Sequence, residues 1–144
     1  MSARPDARTV LIADDDADVL NALRFALELE GYQVGAFDTG SALLDAASAG
    51  EAACLVIDQI LPETTGLELI MRLRARGVTA PAVLITTNLP AHLRARAQAL
   101  AVPIVEKPLL TDALFSTIRI LTGQASDAGE EIDVKSAKDM GDPP

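Results

Sequence analysis

Acidic, hydroxyl and basic side chains of this chain gather at one kind of place, the downstream end of a short apolar run. In order along the chain, these groups are Asp14, Asp15 and Asp16 after TVLIA at 9–13, Asp58 after CLVI at 54–57, Thr86 and Thr87 at the end of AVLITT, and Glu106, Lys107 and Pro108 after PIV. Carboxylates, hydroxyls and an ammonium group can together bind a metal ion and a charged oxyanion.

The carboxylates create an electrostatic problem if the fold brings them together. Two like charges 4 Å apart repel by about 4 kcal/mol at an effective dielectric near 20. A divalent cation would offset this repulsion, and two or three carboxylates with open positions suit Mg²⁺, which keeps waters and accepts phosphate oxygens. Lys107 would add a positive charge and Thr86 a hydroxyl donor. The set predicts a pocket for a doubly charged oxyanion attached to, or approaching, Asp58.

Longer amphipathic stretches separate the apolar runs, so strand-like and helix-like segments alternate five times along the chain. The runs at 9–13, 54–57 and 82–86 are apolar without a period of two, which is typical of parallel strands covered by helices on both faces. The alternation predicts an α/β fold built on a doubly wound, five-stranded parallel sheet. Ligands of such sheets bind at the carboxyl ends of the strands, so all the polar groups are expected on one rim.

Local signals predict where the helices begin and end. Val19, Leu23 and Leu27 are spaced for one buried face of the first helix, and Gly31 is expected to stop it. Asp16 lies directly before that helix and is predicted to cap it. Pro90 is suited to the first turn of the fourth helix.

The composition argues against several classes of function. A net charge of -9 and a pI near 4.4 argue against nucleic acid as the direct partner, because a phosphate backbone is bound by clustered Lys and Arg. Cys54, the single cysteine, excludes an internal disulfide, and its apolar neighbours predict a buried structural thiol. The segment MSARPDAR precedes an apolar run too short for a signal sequence or a membrane span. A cytoplasmic protein with no membrane partner is therefore expected.

The C-terminal segment differs in composition from the rest of the chain. Residues 123–144 contain six acidic residues and two lysines, and no apolar periodicity survives there. We predict one domain over 8–122 and a disordered acidic tail over 123–144. The alternative is that this tail folds onto the domain or a partner, with Ile132 and Val134 as anchors.

Taken in order, these motifs resemble the response regulator receiver domain over about residues 8–121. The resemblance rests on ADDD after the first strand, on Asp58, Pro62 and Gly66 as DxxxPxxxG, on the threonine that ends the fourth strand, and on KP after the fifth. It implies a flavodoxin-like (βα)5 fold with strand order 2-1-3-4-5. It also implies a phosphoacceptor signalling protein, not an enzyme with a separate substrate, that takes a phosphoryl group from a phosphohistidine of a sensor histidine kinase or a histidine phosphotransfer protein.

The resemblance assigns a role to each site residue. The Mg²⁺ ligands are the carboxylates of Asp14, Asp15 and Asp58 and the carbonyl of Ile60; Asp58 is the phosphoacceptor; Thr86, the amide of Thr87 and Lys107 each bind a phosphoryl oxygen. By the same resemblance the Lys107–Pro108 peptide is expected to be cis. His92, the single histidine, lies in a polar stretch and is predicted to be a surface residue and not the phosphodonor.

Two positions depart from the family pattern. Three residues before Lys107, Ile104 stands where the family usually carries Tyr or Phe, so the usual coupling between a threonine and an aromatic rotamer cannot operate in the usual way. We expect a weaker conformational response. Ile60 and Asn88 stand at the two positions that tune aspartyl-phosphate lifetime, and Ile60 cannot hydrogen-bond an attacking water. Slow autodephosphorylation is expected.

Three functions remain open from the sequence. The leading hypothesis is a stand-alone receiver that signals to a downstream protein by contact, since an acidic tail stands where a basic DNA-binding segment would be needed. A phosphorylation-independent interaction module and a small Mg²⁺-dependent phosphatase are the alternatives. Whether a homodimer forms through the fourth helix, fifth strand and fifth helix, and whether the chain is full length, also stay open.

Overall fold

The five apolar runs form five parallel strands, and the amphipathic stretches between and after them form five helices. The computed structural model describes residues 8–107 and 113–123. In chain order the elements are β1 (Thr9–Ala13), α1 (Ala17–Leu29), β2 (Gln33–Phe37), α2 (Gly40–Ala49), β3 (Cys54–Asp58), α3 (Gly66–Ala75), β4 (Ala82–Thr86), α4 (Ala91–Ala99), β5 (Ile104–Glu106) and α5 (Ala113–Leu121).

The strands form one sheet in the order β2-β1-β3-β4-β5, which confirms the predicted doubly wound, flavodoxin-like fold. All four strand pairs are parallel, with Ala13 opposite Ile57 and Asp58 opposite Ile85. The last residue of β4, Thr86, pairs with Glu106 of β5. Because the strands are parallel and in register at these ends, the residues that follow β1, β3, β4 and β5 share one rim.

Helices cover the sheet on both faces. Apolar side chains of α2, α3 and α4 pack on one face, and those of α1 and α5 pack on the other. All five residues of β3 are buried, as are all five of β4, which explains why these runs show no alternation of apolar and polar residues. Cys54 lies in this core, where burial raises the pKa of its thiol to about 12, so the structural interpretation of Cys54 is confirmed.

Most of the predicted helix signals are confirmed. The Asp16 carboxylate accepts hydrogen bonds from the amides of Asp18 and Val19 and caps α1. Gly31, with φ of 99°, follows the last turn of that helix, as predicted. Val19 is only partly buried, and the buried stripe of α1 is Leu20, Leu23 and Leu27 instead. Pro90 is the N-cap residue of α4, one position earlier than predicted.

Gly66 lets the start of α3 lie directly against the end of β3. A Cβ atom at this position would stand 2.6 Å from the carbonyl oxygen of Asp58 and 2.7 Å from a methyl carbon of Leu84. Contacts this short exclude any side chain unless the backbone shifts. Gly66 is therefore required for the packing of α3 against β3.

Some expectations fall outside the described residues. The cis Lys107–Pro108 bond and the acidic tail with Ile132 and Val134 involve residues 108–112 and 124–144. Within 8–107 and 113–123, none of the helices has the length and apolar content needed to cross a lipid bilayer.

The end of α4 generates a stability prediction. Ala101 has φ of 60°, and the amide of Val102 donates to the carbonyl of Ala97 at 2.9 Å, which is the hydrogen bond of a Schellman cap. Because glycine adopts this backbone without strain, Ala101→Gly should stabilise the protein by about 0.5–1 kcal/mol after the entropy of glycine in the unfolded chain is subtracted. Urea unfolding measures the difference.

The matched control for this prediction lies in the interior of the same helix. Ala95 is exposed like Ala101, and Ala95→Gly should destabilise the protein by about 1 kcal/mol. Equal losses of stability in the two variants would contradict the assignment of strain to Ala101.

Candidate functional site

A cavity of about 430 Å³ opens at the carboxyl edge of the sheet. Six of the predicted site residues line it: Asp15, Asp58, Ile60, Thr86, Thr87 and Lys107. Asp14 lies behind them, with its carboxylate 3.6 Å from the Lys107 ammonium group. A larger cavity of about 510 Å³ lies at the opposite edge, between the ends of α2 and α3, and contains none of the predicted site residues.

The centre of the site is an ion cluster that joins three segments. Asp14 directly follows β1, Asp58 ends β3 and Lys107 directly follows β5. Lys107 Nζ donates a hydrogen bond to Asp58 Oδ2 at 3.1 Å. Both aspartates are almost wholly buried, with 1% of Asp14 and 3% of Asp58 exposed. Burial lowers the pKa of Lys107, but Asp58 and Asp14 outweigh that effect and hold the pKa above its ordinary value.

The surroundings of Asp14 disfavour the ionised form of its carboxyl group. Burial is the main cause that raises its pKa to about 6; the hydrogen bond that Oδ1 accepts from the Asp16 amide opposes this, and the nearby charge of Asp58 adds to it. Asp14 Oδ2 is buried and accepts no hydrogen bond from the described residues. This oxygen lies 3.6 Å from the Lys107 ammonium group, and as a buried acceptor without a hydrogen bond it is a candidate ligand atom for a cation.

The donor set fits a divalent metal. Asp14, Asp15 and Asp58 each offer one oxygen, and these atoms lie within 4.8 Å of one another. Three hard oxygen ligands on one open side of a cavity are the arrangement that Mg²⁺ accepts, because it keeps several of its own waters. Asp15 is exposed and lines the cavity with the buried Asp58, whereas Asp14 lies buried behind them.

The loop after β3 is held in place by Gln59, which sequence reasoning did not single out. Its buried side-chain oxygen accepts a hydrogen bond from the amide of Leu67 at 3.0 Å, and its backbone carbonyl accepts one from Gly66 at 2.9 Å. These bonds bind the loop to the start of α3. The loop turns Ile60 outward, where 68% of its surface is exposed, while its amide donates to Asp58 Oδ1 at 3.4 Å.

The loop after β4 forms the opposite wall of the cavity. Thr86 is buried, and Thr87 and Asn88 are exposed at the cavity. The carbonyl of Thr86 accepts a hydrogen bond from the amide of Lys107 at 2.9 Å, which continues the β4–β5 ladder by one residue. The backbone that carries the ammonium group is thus attached to the backbone that carries the threonines.

The two remaining predicted positions lie away from the ion cluster. His92 is exposed on α4 and does not line the cavity, which confirms it as a surface residue. Ile104 is half-buried at the start of β5 and packs against the core formed by α2, α3 and α4.

Comparisons with known sequences agree with this geometry. The family model of the response regulator receiver domain matches residues 10–119. The transcriptional regulatory protein FixJ of Azorhizobium caulinodans is 32% identical over 133 residues, which are 92% of this chain and 63% of that protein. FixJ of Bradyrhizobium diazoefficiens is 33% identical over 122 residues, 84% of this chain and 60% of that protein. The chain spans less than two thirds of the length of these relatives.

Solved structures show the same fold. A CheY-like response regulator receiver domain protein from Methanospirillum hungatei superposes with a TM-score of 0.75 at 22% identity, covering 83% of this chain and 98% of that one. The receiver domain of the Francisella response regulator 1452 gives a TM-score of 0.75 at 21% identity, with 82% and 98% covered. With the family match over most of its length and the ion cluster at the rim of its sheet, this chain belongs to the response regulator receiver domain family.

Proposed function

We propose that this chain accepts a phosphoryl group on Asp58 from a phosphohistidine of a sensor histidine kinase or a histidine phosphotransfer protein. The observation that carries the proposal is the placement of Asp58, a buried carboxylate that reaches an open cavity between an ammonium group and two further carboxylates. An oxygen of Asp58 attacks phosphorus, the bond from phosphorus to the histidine nitrogen breaks, and its electron pair stays on that nitrogen.

In this proposal Mg²⁺ is bound by the carboxylates of Asp14, Asp15 and Asp58 and by the carbonyl of Ile60. When bound, the ion supplies positive charge that neutralises both the carboxylates and the incoming phosphoryl oxygens. The unsatisfied oxygen of Asp14 and the close approach of the three carboxylates support this assignment.

The chain's own groups position the phosphoryl group. Lys107 is already within hydrogen-bonding distance of Asp58, so its ammonium group can move from the carboxylate to a phosphoryl oxygen without crossing the cavity. Thr86 and Thr87 also line the cavity, which supports the hydroxyl of Thr86 and the amide of Thr87 as donors to the remaining oxygens. Such donors stabilise the charge that is spread over the transferring group in the transition state.

The chain is proposed to act as a cytoplasmic response regulator receiver that relays the signal by contact with a downstream protein. The acidic composition supports a protein partner over nucleic acid, because binding to a phosphate backbone requires clustered positive charge. The relatives named transcriptional regulatory proteins are longer than this chain, so we do not propose transcriptional regulation for it.

Phosphorylation tests the proposed function directly. Incubation with acetyl phosphate and Mg²⁺ should add one phosphoryl group to the protein, detected by intact mass, and Asp58→Asn should abolish the gain because the amide is a poor nucleophile. Asp45→Asn removes an exposed carboxylate of α2 and should leave the gain unchanged. If the wild type gains no mass, the proposed function fails, and a phosphorylation-independent interaction module becomes the better description.

Metal binding should depend on pH through Asp14. The folded-state pKa of about 6 lies above the ordinary 3.8, so the folded protein binds the extra proton between these values and loses stability as pH rises through about 6. Mg²⁺ binds the deprotonated form, so it should raise the midpoint of urea unfolding more at pH 7.5 than at pH 5.

The variant Asp14→Asn separates this effect from general salt stabilisation. It should make the metal-free protein more stable at pH 7.5, because a buried charge facing Asp58 disappears, and it should remove most of the response to Mg²⁺. Asp45→Asn should respond like the wild type. An equal response to Mg²⁺ at both pH values, or in Asp14→Asn, would contradict the assignment.

The aspartyl phosphate should be long-lived because of Ile60. Its exposed aliphatic side chain at the cavity cannot orient an attacking water, whereas Asn at this position can. Ile60→Asn should therefore speed the loss of phosphate by about tenfold, followed as the decay of phosphorylated protein on a gel that separates the two forms. Ile60→Leu, the matched aliphatic variant, should decay like the wild type; equal decay in all three proteins refutes the explanation.

A further inference from the structure

Arg94, on the first turn of α4, joins two segments that are distant in the sequence. Its Nε donates a hydrogen bond to the carbonyl of Leu89 at 3.1 Å, and its Nη2 donates to Oε2 of Glu106. Leu89 belongs to the loop between β4 and α4, and Glu106 is the last residue of β5. One guanidinium group therefore contacts both the loop and the strand end.

Both contacts lie directly behind the walls of the phosphoryl pocket. Leu89 lines the cavity on the same loop as Thr87 and Asn88, and Lys107 follows Glu106 in the chain. The inner side of these walls carries the donors expected to bind phosphoryl oxygens. Arg94 links the same two segments through side-chain contacts, in addition to the backbone hydrogen bond between Lys107 and Thr86.

The energy of the ion pair alone does not explain its presence. The side chains of Arg94 and Glu106 are 43% and 50% exposed, and ion pairs with such exposure contribute about 0–1 kcal/mol to stability. The geometry is more informative than the energy. A guanidinium is a rigid planar fork that can donate in two directions at once, whereas an ammonium group on a flexible stem has no fixed direction.

We propose that Arg94 is a positioning residue for phosphoryl acceptance: it holds the loop 87–90 and the Lys107-bearing end of β5 at the separation that the phosphoryl group requires. The inference rests on the proposed function, since it assigns Arg94 to the same pocket. Arg94 contacts neither Asp58 nor the cavity directly, and it acts through Leu89 and Glu106.

The test measures the rate constant of phosphorylation by acetyl phosphate at saturating Mg²⁺ and the dissociation constant for beryllofluoride. Arg94→Met and Glu106→Ala should each slow phosphorylation and weaken beryllofluoride binding by about tenfold, because a displaced donor loses its alignment with the transferring group. The double variant should be no slower than Arg94→Met, since both changes break one link. Arg94→Lys should restore little, because charge without the fork cannot hold both contacts.

Arg96→Met is the matched control. Arg96 is an exposed arginine of the same helix, and the contact recorded for its guanidinium is with the sulfur of Met71 at 4.0 Å. This variant should phosphorylate and bind beryllofluoride like the wild type, and urea unfolding of all the variants checks that the fold is retained. Glu106→Ala breaks the link from the β5 side if Arg94→Met does not fold.

The outcomes separate this inference from the proposed function. If the wild type neither gains a phosphoryl group nor binds beryllofluoride, the proposed function and the role of Arg94 fall together. If the wild type is phosphorylated and Arg94→Met or Glu106→Ala matches it, only the positioning role is overturned. Additive losses in the double variant, or full rescue by Arg94→Lys, also overturn it.

Discussion

The burial of two carboxylates beside one ammonium group is the constraint on which the rest of this structure depends. Asp14 and Asp58 are withdrawn from water, yet Lys107 supplies a single positive charge to both. Burying an ion costs several kcal/mol that an incomplete set of partners cannot return. The raised pKa of Asp14 is the visible sign of this imbalance. The site therefore carries surplus negative charge among its buried groups.

The strand order of the sheet creates this excess of buried negative charge, and apolar packing stabilises the fold against it. The order β2-β1-β3-β4-β5 makes β1 and β3 neighbours, so the carboxylates that follow them must approach each other. Helices on both faces bury β3 along its whole length, including its terminal Asp58. Gly66 and Gln59 then bring α3 against that strand end and leave Ile60 as the exposed edge of the loop. The acidic residues could relax away from one another only if this packing were lost.

The features of the fold that depend on a local sequence pattern could be predicted from the sequence. β1 and β4 begin and end where their apolar runs do, because buried parallel strands appear in the sequence as continuous apolar runs. The first helix ends at Leu29, just before the expected stop at Gly31, and Tyr32 then turns into the core near Thr122. Gln59 and Arg94 were not predicted as part of the site. Their partners come close only through the sheet and the turn into α4. A single Gln or Arg in a sequence does not indicate such a contact.

Ile104 shows how the site can be connected to the outer surface without an aromatic side chain. It pairs with Leu84 in the β4–β5 ladder and is half-buried against the α4 side of the core. An aliphatic side chain has no large rotamer swing between solvent and core. The contacts between the pocket and the α4–β5 surface include the hydrogen bond from the amide of Lys107 to the carbonyl of Thr86, and those of Arg94 with Leu89 and Glu106. A shift of the β4–α4 loop would reach this surface through the backbone and through the guanidinium of Arg94, without the rotation of an aromatic ring between core and solvent.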